Sequence, residues 1–133
     1  MAGERILVVD DDPKILDILG VLLSGAGYEV RTTADPCRAL PLAAEIRPDL
    51  AILDVAMPVL DGFQLASRIR SDPVLADLPL VFLTARDAAT DLGRARELRA
   101  AAYVEKPFQK EALLGLLEQI FLRDAKGGPM CRG

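Results

Sequence analysis

Five times along this chain a short apolar run is followed by a segment of helical periodicity, and that alternation restricts the fold more than any other feature. Arg5-Ile-Leu-Val-Val9 is a continuous apolar run cut off at Asp10. It reads as a strand buried on both faces, as does Asp49 to Leu53, cut off at Asp54. Tyr28 to Thr33 is more polar and β-branched, Leu80 to Thr84 is entered through Pro79, and Ala101 to Glu105 is a weak fifth strand. Between them fall the helical patterns. Pro13 suits a first helical position with Asp12 as N-cap, Ile15, Ile18, Leu19, Leu22 and Leu23 share one face, and Gly25 and Gly27 stop the helix. A second helix starts at Asp35-Pro36 and runs to about Ile46, with Pro41 awkward inside it. The third covers about Gly62 to Arg70, the fourth Asp87 to Arg99. The last runs from Gln109 to Leu122, with Leu113, Leu117, Ile120 and Phe121 inward. Such alternation predicts βαβ units, a parallel sheet and, through right-handed crossovers, helices on both faces.

Composition narrows the chemistry. At 133 residues the chain is one domain in size, and 51% hydrophobic content lets it bury a substantial core. A net charge of −4 argues against bulk attraction to nucleic acid or anionic membrane. No apolar run is long enough to span a bilayer, and no signal-peptide pattern precedes the first charges, so a cytoplasmic location is expected. There is no His and there are only two Cys, Cys37 and Cys131. Zinc fingers, His-based triads and disulfide frameworks are thereby excluded, and both cysteines read as bystanders. Residues 123–133 contain Lys126-Gly-Gly-Pro129 without periodicity, which predicts a flexible tail or truncated linker after a unit spanning 4–122.

In an open α/β sheet, ligands bind beyond the carboxyl ends of the strands. Those ends carry Asp10-Asp11-Asp12, Thr33-Ala34-Asp35, Asp54, Thr84 and Lys106. Taken singly, each has an ordinary explanation. Asp12 caps a helix, Asp61-Gly62 is a turn, Thr84 is a β-branched strand residue, and Lys106 is a solvated lysine. Arg86, Arg94, Arg96 and Arg99, interleaved with Asp87, Asp91 and Glu97, form a solvated helix face. Together, three carboxylates, a hydroxyl and an ammonium at one sheet edge are not explained by turns. Asp10, Asp11 and Asp54 would converge from adjacent strands and repel one another unless a cation joined them. An all-oxygen set favours a hard ion such as Mg²⁺, and a carboxylate beside it can attack phosphorus. Lys106 and Thr84 would then serve the equatorial oxygens.

These residues carry a resemblance. Ile6-Leu-Val-Val-Asp-Asp-Asp12-Pro13, Leu50-Ala-Ile-Leu-Asp-Val-Ala-Met-Pro58-Val-Leu-Asp-Gly62, Leu83-Thr-Ala85 and Tyr103-Val-Glu-Lys-Pro-Phe108 resemble, in order and spacing, the receiver domain of two-component response regulators. The resemblance implies a doubly wound (βα)5, flavodoxin-like three-layer sandwich with strand order 2-1-3-4-5, as in the chemotaxis member of the family. It implies that Asp54 is the phosphoacceptor and that Asp10, Asp11, Asp54 and the Ala56 backbone carbonyl hold Mg²⁺. Thr84 and Lys106 would contact the phosphoryl group, with Lys106-Pro107 a cis peptide. Thr84 and Tyr103 would form the switch that reshapes the face of the fourth helix, fifth strand and fifth helix. The implied partners are a sensor histidine kinase or phosphotransfer protein, and an effector or second copy on that face, with no direct nucleic acid or membrane contact. The implied activity is that of a signalling switch, not of an enzyme beyond its own phosphotransfer and dephosphorylation.

Departures stand out. Arg99-Ala-Ala-Ala102 occupies a corner where the family usually has Gly, and Leu60 replaces a more frequent Met. Ala56 offers no side chain beside the site and Arg86 is long and cationic, a pair expected to prolong the phosphoryl group's lifetime. Two other readings compete. One is a receiver-like scaffold working without phosphorylation. The other is a magnesium-dependent phosphatase of the haloacid-dehalogenase type built on Asp10-x-Asp12, which would leave Asp54 without a role.

Overall fold

The computed structural model describes residues 3–84 and 89–132. Its strands are β1 (Arg5–Val9), β2 (Glu29–Thr33), β3 (Leu50–Asp54), β4 (Leu80–Thr84) and β5 (Ala102–Glu105). Its helices are α1 (Pro13–Gly25), α2 (Pro36–Ile46), α3 (Gly62–Ser71), α4 (Ala89–Glu97) and α5 (Lys110–Arg132). The strands form one parallel sheet, as the alternation predicted, in the order β2-β1-β3-β4-β5, the flavodoxin-like arrangement that the resemblance implied.

Side chains alternate across the sheet with the period of two that strands impose. Leu7, Val9, Ala51, Leu53, Leu80 and Phe82 face one way, onto Ala39, Ala43, Phe63, Leu65, Ile69 and Ala95 of α2, α3 and α4. Ile6, Val8, Leu50, Ile52, Val81 and Leu83 face the other way, onto Leu19, Leu23, Leu113, Leu117 and Ile120 of α1 and α5. The strands β3 and β4 are buried along their whole length, whereas β2, at the sheet edge, is mostly exposed. The continuous apolar runs and the more polar one therefore sort by position in the sheet.

The helix starts follow their caps. Asp12 accepts from Lys14 N, Asp35 from Cys37 N, and each is followed by Pro at the first helical position. Asp61 is more than a turn residue: with Gln64 it forms a reciprocal capping box. At the end of α1, Gly27 takes φ 99°, and Tyr28 N donates to Leu23 O, closing the helix as the glycines suggested.

Several boundaries differ from the sequence reading, four of them for a physical reason. Tyr28 precedes β2; its ring packs on Phe121 at 5.5 Å, so its apolar character reflects a side-chain contact and not strand pairing. The third strand is shifted by one residue, because Asp49 turns its carboxylate onto Arg5 N at 2.8 Å while Asp54 pairs with Leu83. Among residues expected in the fourth helix, Leu98 and Arg99 form a turn instead. Finally, α5 keeps helical backbone to Arg132, well past Leu122. The apolar periodicity marks where that helix packs on the sheet, and Phe121 is the last buried residue of its inner face among the described residues.

Candidate functional site

Parallel pairing brings the carboxyl ends of β1, β3, β4 and β5 to one edge, and the predicted polar residues meet there. Asp10 directly follows β1 and Asp54 ends β3, the neighbouring strand. One carboxylate oxygen from each of Asp10, Asp11 and Asp54 lies within 4.8 Å of the others. Asp10 is fully buried and Asp54 is 4% exposed, while Asp11 faces solvent. Burial of like charges is tolerated here because a cation reaches them. The Lys106 ammonium donates to Asp10 Oδ2 at 2.9 Å and to Asp54 Oδ1 at 3.3 Å. The second Asp10 oxygen accepts from Asp12 N at 2.9 Å. Asp12, at the sequence level only a cap, thus serves the site through its backbone as well.

Lys106 is placed by the edge of the sheet. Its backbone N–H donates to the Thr84 carbonyl, continuing the β4–β5 ladder by one step, and the Lys106-Pro107 peptide is cis. Thr84 is 5% exposed at the end of β4. Tyr103, opposite Phe82 in the ladder, is half-buried against the cluster shared with α2, α3 and α4. Ala56, two residues past Asp54, is exposed and carries only a methyl group. Arg86 lies outside the described residues.

The electrostatics follow from these distances. Burial and the Asp10 charge raise the Asp54 carboxyl from 3.8 to about 6; Lys106 opposes the rise and Asp11 adds to it. For Lys106, burial alone would lower the pKa, but the hydrogen bond and charge of Asp10, then those of Asp54, raise it on balance. The carboxylates therefore repel more than one ammonium compensates. A second cation among them would relieve the excess, and three carboxylate oxygens suit a hard ion.

One positional requirement was not read as part of the site. A Cβ at Gly62 would sit 2.3 Å from the backbone oxygen of Asp54, and Gly62 N donates to Val55 O at 3.0 Å. The first turn of α3 thus rests on the backbone of Asp54. The Asp61-Gly62 dipeptide, read as a turn, was the available signal. Between them the loop makes a tight turn at Val59, with φ 70° and Leu60 N bonded to Pro58 O at 2.7 Å.

Residues 6–118 match the response regulator receiver domain. The chain belongs to that family. Among full-length relatives, the receiver is 37% identical over 119 residues to the DNA-binding dual master transcriptional regulator RpaA of Synechocystis, covering 90% of this chain and 49% of that protein. It is 32% identical to the phosphate regulon transcriptional regulatory protein PhoB of Pseudomonas aeruginosa, covering 96% and 56%. The chain thus spans about half the length of these regulators. Among solved structures, the chemotaxis protein CheY4 of Vibrio cholerae superposes with a TM-score of 0.84 at 34% identity, covering 89% of this chain and 98% of that one. The non-phosphorylated HemR receiver domain of Leptospira biflexa gives 0.80 at 35% identity, with 88% and 93% covered. As a receiver domain, this chain is a signalling module of the two-component type.

Proposed function

We propose that this receiver accepts a phosphoryl group on Asp54 from a phosphohistidine of a sensor kinase or phosphotransfer protein. The observation that carries the reading is the convergence of the Asp10, Asp11 and Asp54 carboxylates with the Lys106 ammonium at one sheet edge. Those three carboxylates, with the Ala56 carbonyl, would hold Mg²⁺, which when bound neutralises charge on the carboxylates and on the incoming phosphoryl oxygens. Asp54 attacks phosphorus through a carboxylate oxygen; an O–P bond forms, the P–N bond to the donor imidazole breaks, and the electron pair returns to that ring. Lys106, already 3.3 Å from Asp54 Oδ1, needs little movement to follow the charge onto the transferred oxygens. Thr84, at the end of the adjacent strand, supplies a hydroxyl donor to the same group.

The added charge, about −1.5 to −2, falls in a buried setting. Drawing Thr84 toward it alters the space available to Tyr103 and so the α4-β5-α5 face, where an effector or second copy docks. The unit so defined spans 4–122, with 123–133 as its tail or linker, and acts in the cytoplasm as a switch without turnover of an outside substrate. Ala56 contributes only a methyl group two residues past Asp54, and with the long cationic Arg86 it supports a long-lived phosphoryl group.

Intact-protein mass after incubation with Mg²⁺ and acetyl phosphate tests the reading. One phosphate is expected on the wild type, none on Asp54→Ala, and none when EDTA replaces Mg²⁺. No adduct on a folded wild type would favour the scaffold reading; an adduct that survives Asp54→Ala but not Asp10→Ala would favour the phosphatase-like one.

A further inference from the structure

The side chain of Arg70, in the last turn of α3, is committed to backbone carbonyls on two other segments. Its Nε donates to Leu98 O at 2.8 Å and Nη2 to Arg99 O at 3.2 Å. Its Nη1 donates to Ala76 O at 2.9 Å and Leu78 O at 2.7 Å. The first two acceptors are at the C-terminal end of α4, and the other two are in the connection that leads into β4. Helix ends leave carbonyls without intrahelical partners, and a guanidinium is the one side chain with enough donors in a fixed plane to serve several at once.

This corner is also the one that lacks a glycine. Arg99 takes φ 59°, the left-handed conformation, and Ala100 N reaches back to Ala95 O at 3.0 Å to close the helix. The chain then enters β5 at once, Ala101 N donating to Leu80 O at 2.8 Å. The strand that carries Tyr103 and leads to Lys106 therefore departs from the point that Arg70 holds. Farther along the same helix, α4 touches α3 through the Arg94 guanidinium over the Phe63 ring, 4.9 Å from its centroid. Phe63 follows the glycine that rests on Asp54 and packs edge-on against Phe82 of β4 at 4.9 Å. Among the described residues, these two attachments of α4 to α3, beside the burial of Ala95 in the shared core, differ in kind: carbonyls held by a partly buried cation at the C-terminal end, and a ring contact one turn nearer the site.

We propose that Arg70 is a positioning residue that pins the C-terminal end of α4 to α3 and to the β4 entry loop, so that a change at Asp54 swings α4 about that fixed end instead of displacing the whole helix. The pinning stands on the contacts of Arg70 alone; only the swing rests on Asp54 being the phosphoacceptor.

Amide hydrogen exchange resolved by mass spectrometry tests both parts on wild type, Arg70→Ala and Arg70→Lys, without and with Mg²⁺ and acetyl phosphate. Without phosphodonor, Arg70→Ala should exchange about tenfold faster over 95–102 and 74–79, with Arg70→Lys between it and the wild type, since a lysine reaches fewer of the carbonyls. Unchanged exchange in a folded Arg70→Ala would overturn the pinning. With phosphodonor, wild-type changes in α4 should lie before Arg96 and leave 98–101 untouched, while in Arg70→Ala they should spread through 98–101. Equal changes at both ends of α4 in phosphorylated wild type would overturn the fixed end. The amount of phosphate on Asp54 should be the same in all three proteins, a result that mere unfolding of the variant would not give. If Arg70→Ala fails to fold, Arg70→Lys against wild type carries both comparisons. If wild type takes no phosphate, the phosphoacceptor reading fails, and the pinning is still decided by the first comparison.

Discussion

Asp54 is held in a form that costs the fold stability at neutral pH. Its carboxyl in the folded chain titrates at about 6 against 3.8 in the unfolded chain, so the folded state binds the proton more tightly between those values. The contribution is intact below pH 3.8 and is lost as the pH rises through about 6. Asp54→Asn should therefore be more stable than wild type at pH 7 in EDTA, by roughly 1–3 kcal/mol, with the advantage shrinking toward pH 4. Urea unfolding at both pH values measures it. On the same residue's backbone side the sign is opposite. Gly62→Ala forces a methyl group against Asp54 O, and we expect a loss of about 1–3 kcal/mol, read by the same unfolding experiment. The lifetime of the phosphoryl group is a third residue-scale property: Ala56→Asn with Arg86→Glu should change the rate at which the phosphate adduct decays, by time-resolved intact mass. No change in that rate would remove Ala56 and Arg86 from the account.

At the scale of elements, the corner between α4 and β5 carries the clearest cost. Arg99 sits at φ 59°, where a side chain is disfavoured, and its contribution through Nη2 to Ala76 O is long at 3.4 Å. Arg99→Gly should raise stability by about 1 kcal/mol, as a shift in the urea midpoint at unchanged slope, because the carbonyls that Arg70 holds are backbone and stay in place. The sequence reading placed the missing glycine here, since the helix had to end before β5 and no residue in Arg99-Ala-Ala-Ala102 favours the left-handed region. Pro41 was legible in the same way, and it stands inside α2, exposed at the helix surface. What periodicity did not convey was the one-residue shift of β3 or the reach of α5. Asp49 and Asp54 flank the same apolar run, and which of them joins the ladder depends on Arg5, 44 residues away. Arg70 was not legible at all, because its four acceptors are main-chain carbonyls, identical in every sequence.

For the whole molecule, the site was legible because a parallel sheet leaves few places for strand-end polar residues to go. Once Asp10, Asp54, Thr84 and Lys106 were put at carboxyl ends, their meeting followed from topology. Their charge balance did not, since it depends on burial and on which oxygen Lys106 reaches. That imbalance predicts that Mg²⁺ stabilises the wild type against unfolding, in proportion to the logarithm of its concentration above the dissociation constant. Asp10→Asn should lose most of that gain, and thermal unfolding across a Mg²⁺ series measures it. The long reach of Lys106 has one more consequence. The carboxylates of Asp10 and Asp54 are brought together by strands from the first half of the chain, whereas their ammonium comes from residue 106, beyond the edge strand. A chain paired only through β1 to β4 holds that pair of acids without the ammonium, and β5 in its proper register brings Lys106 to them. The charged centre is thus also a tie between the two halves of the chain, one that a slipped last strand would undo by carrying Lys106 out of reach of Asp10 and Asp54.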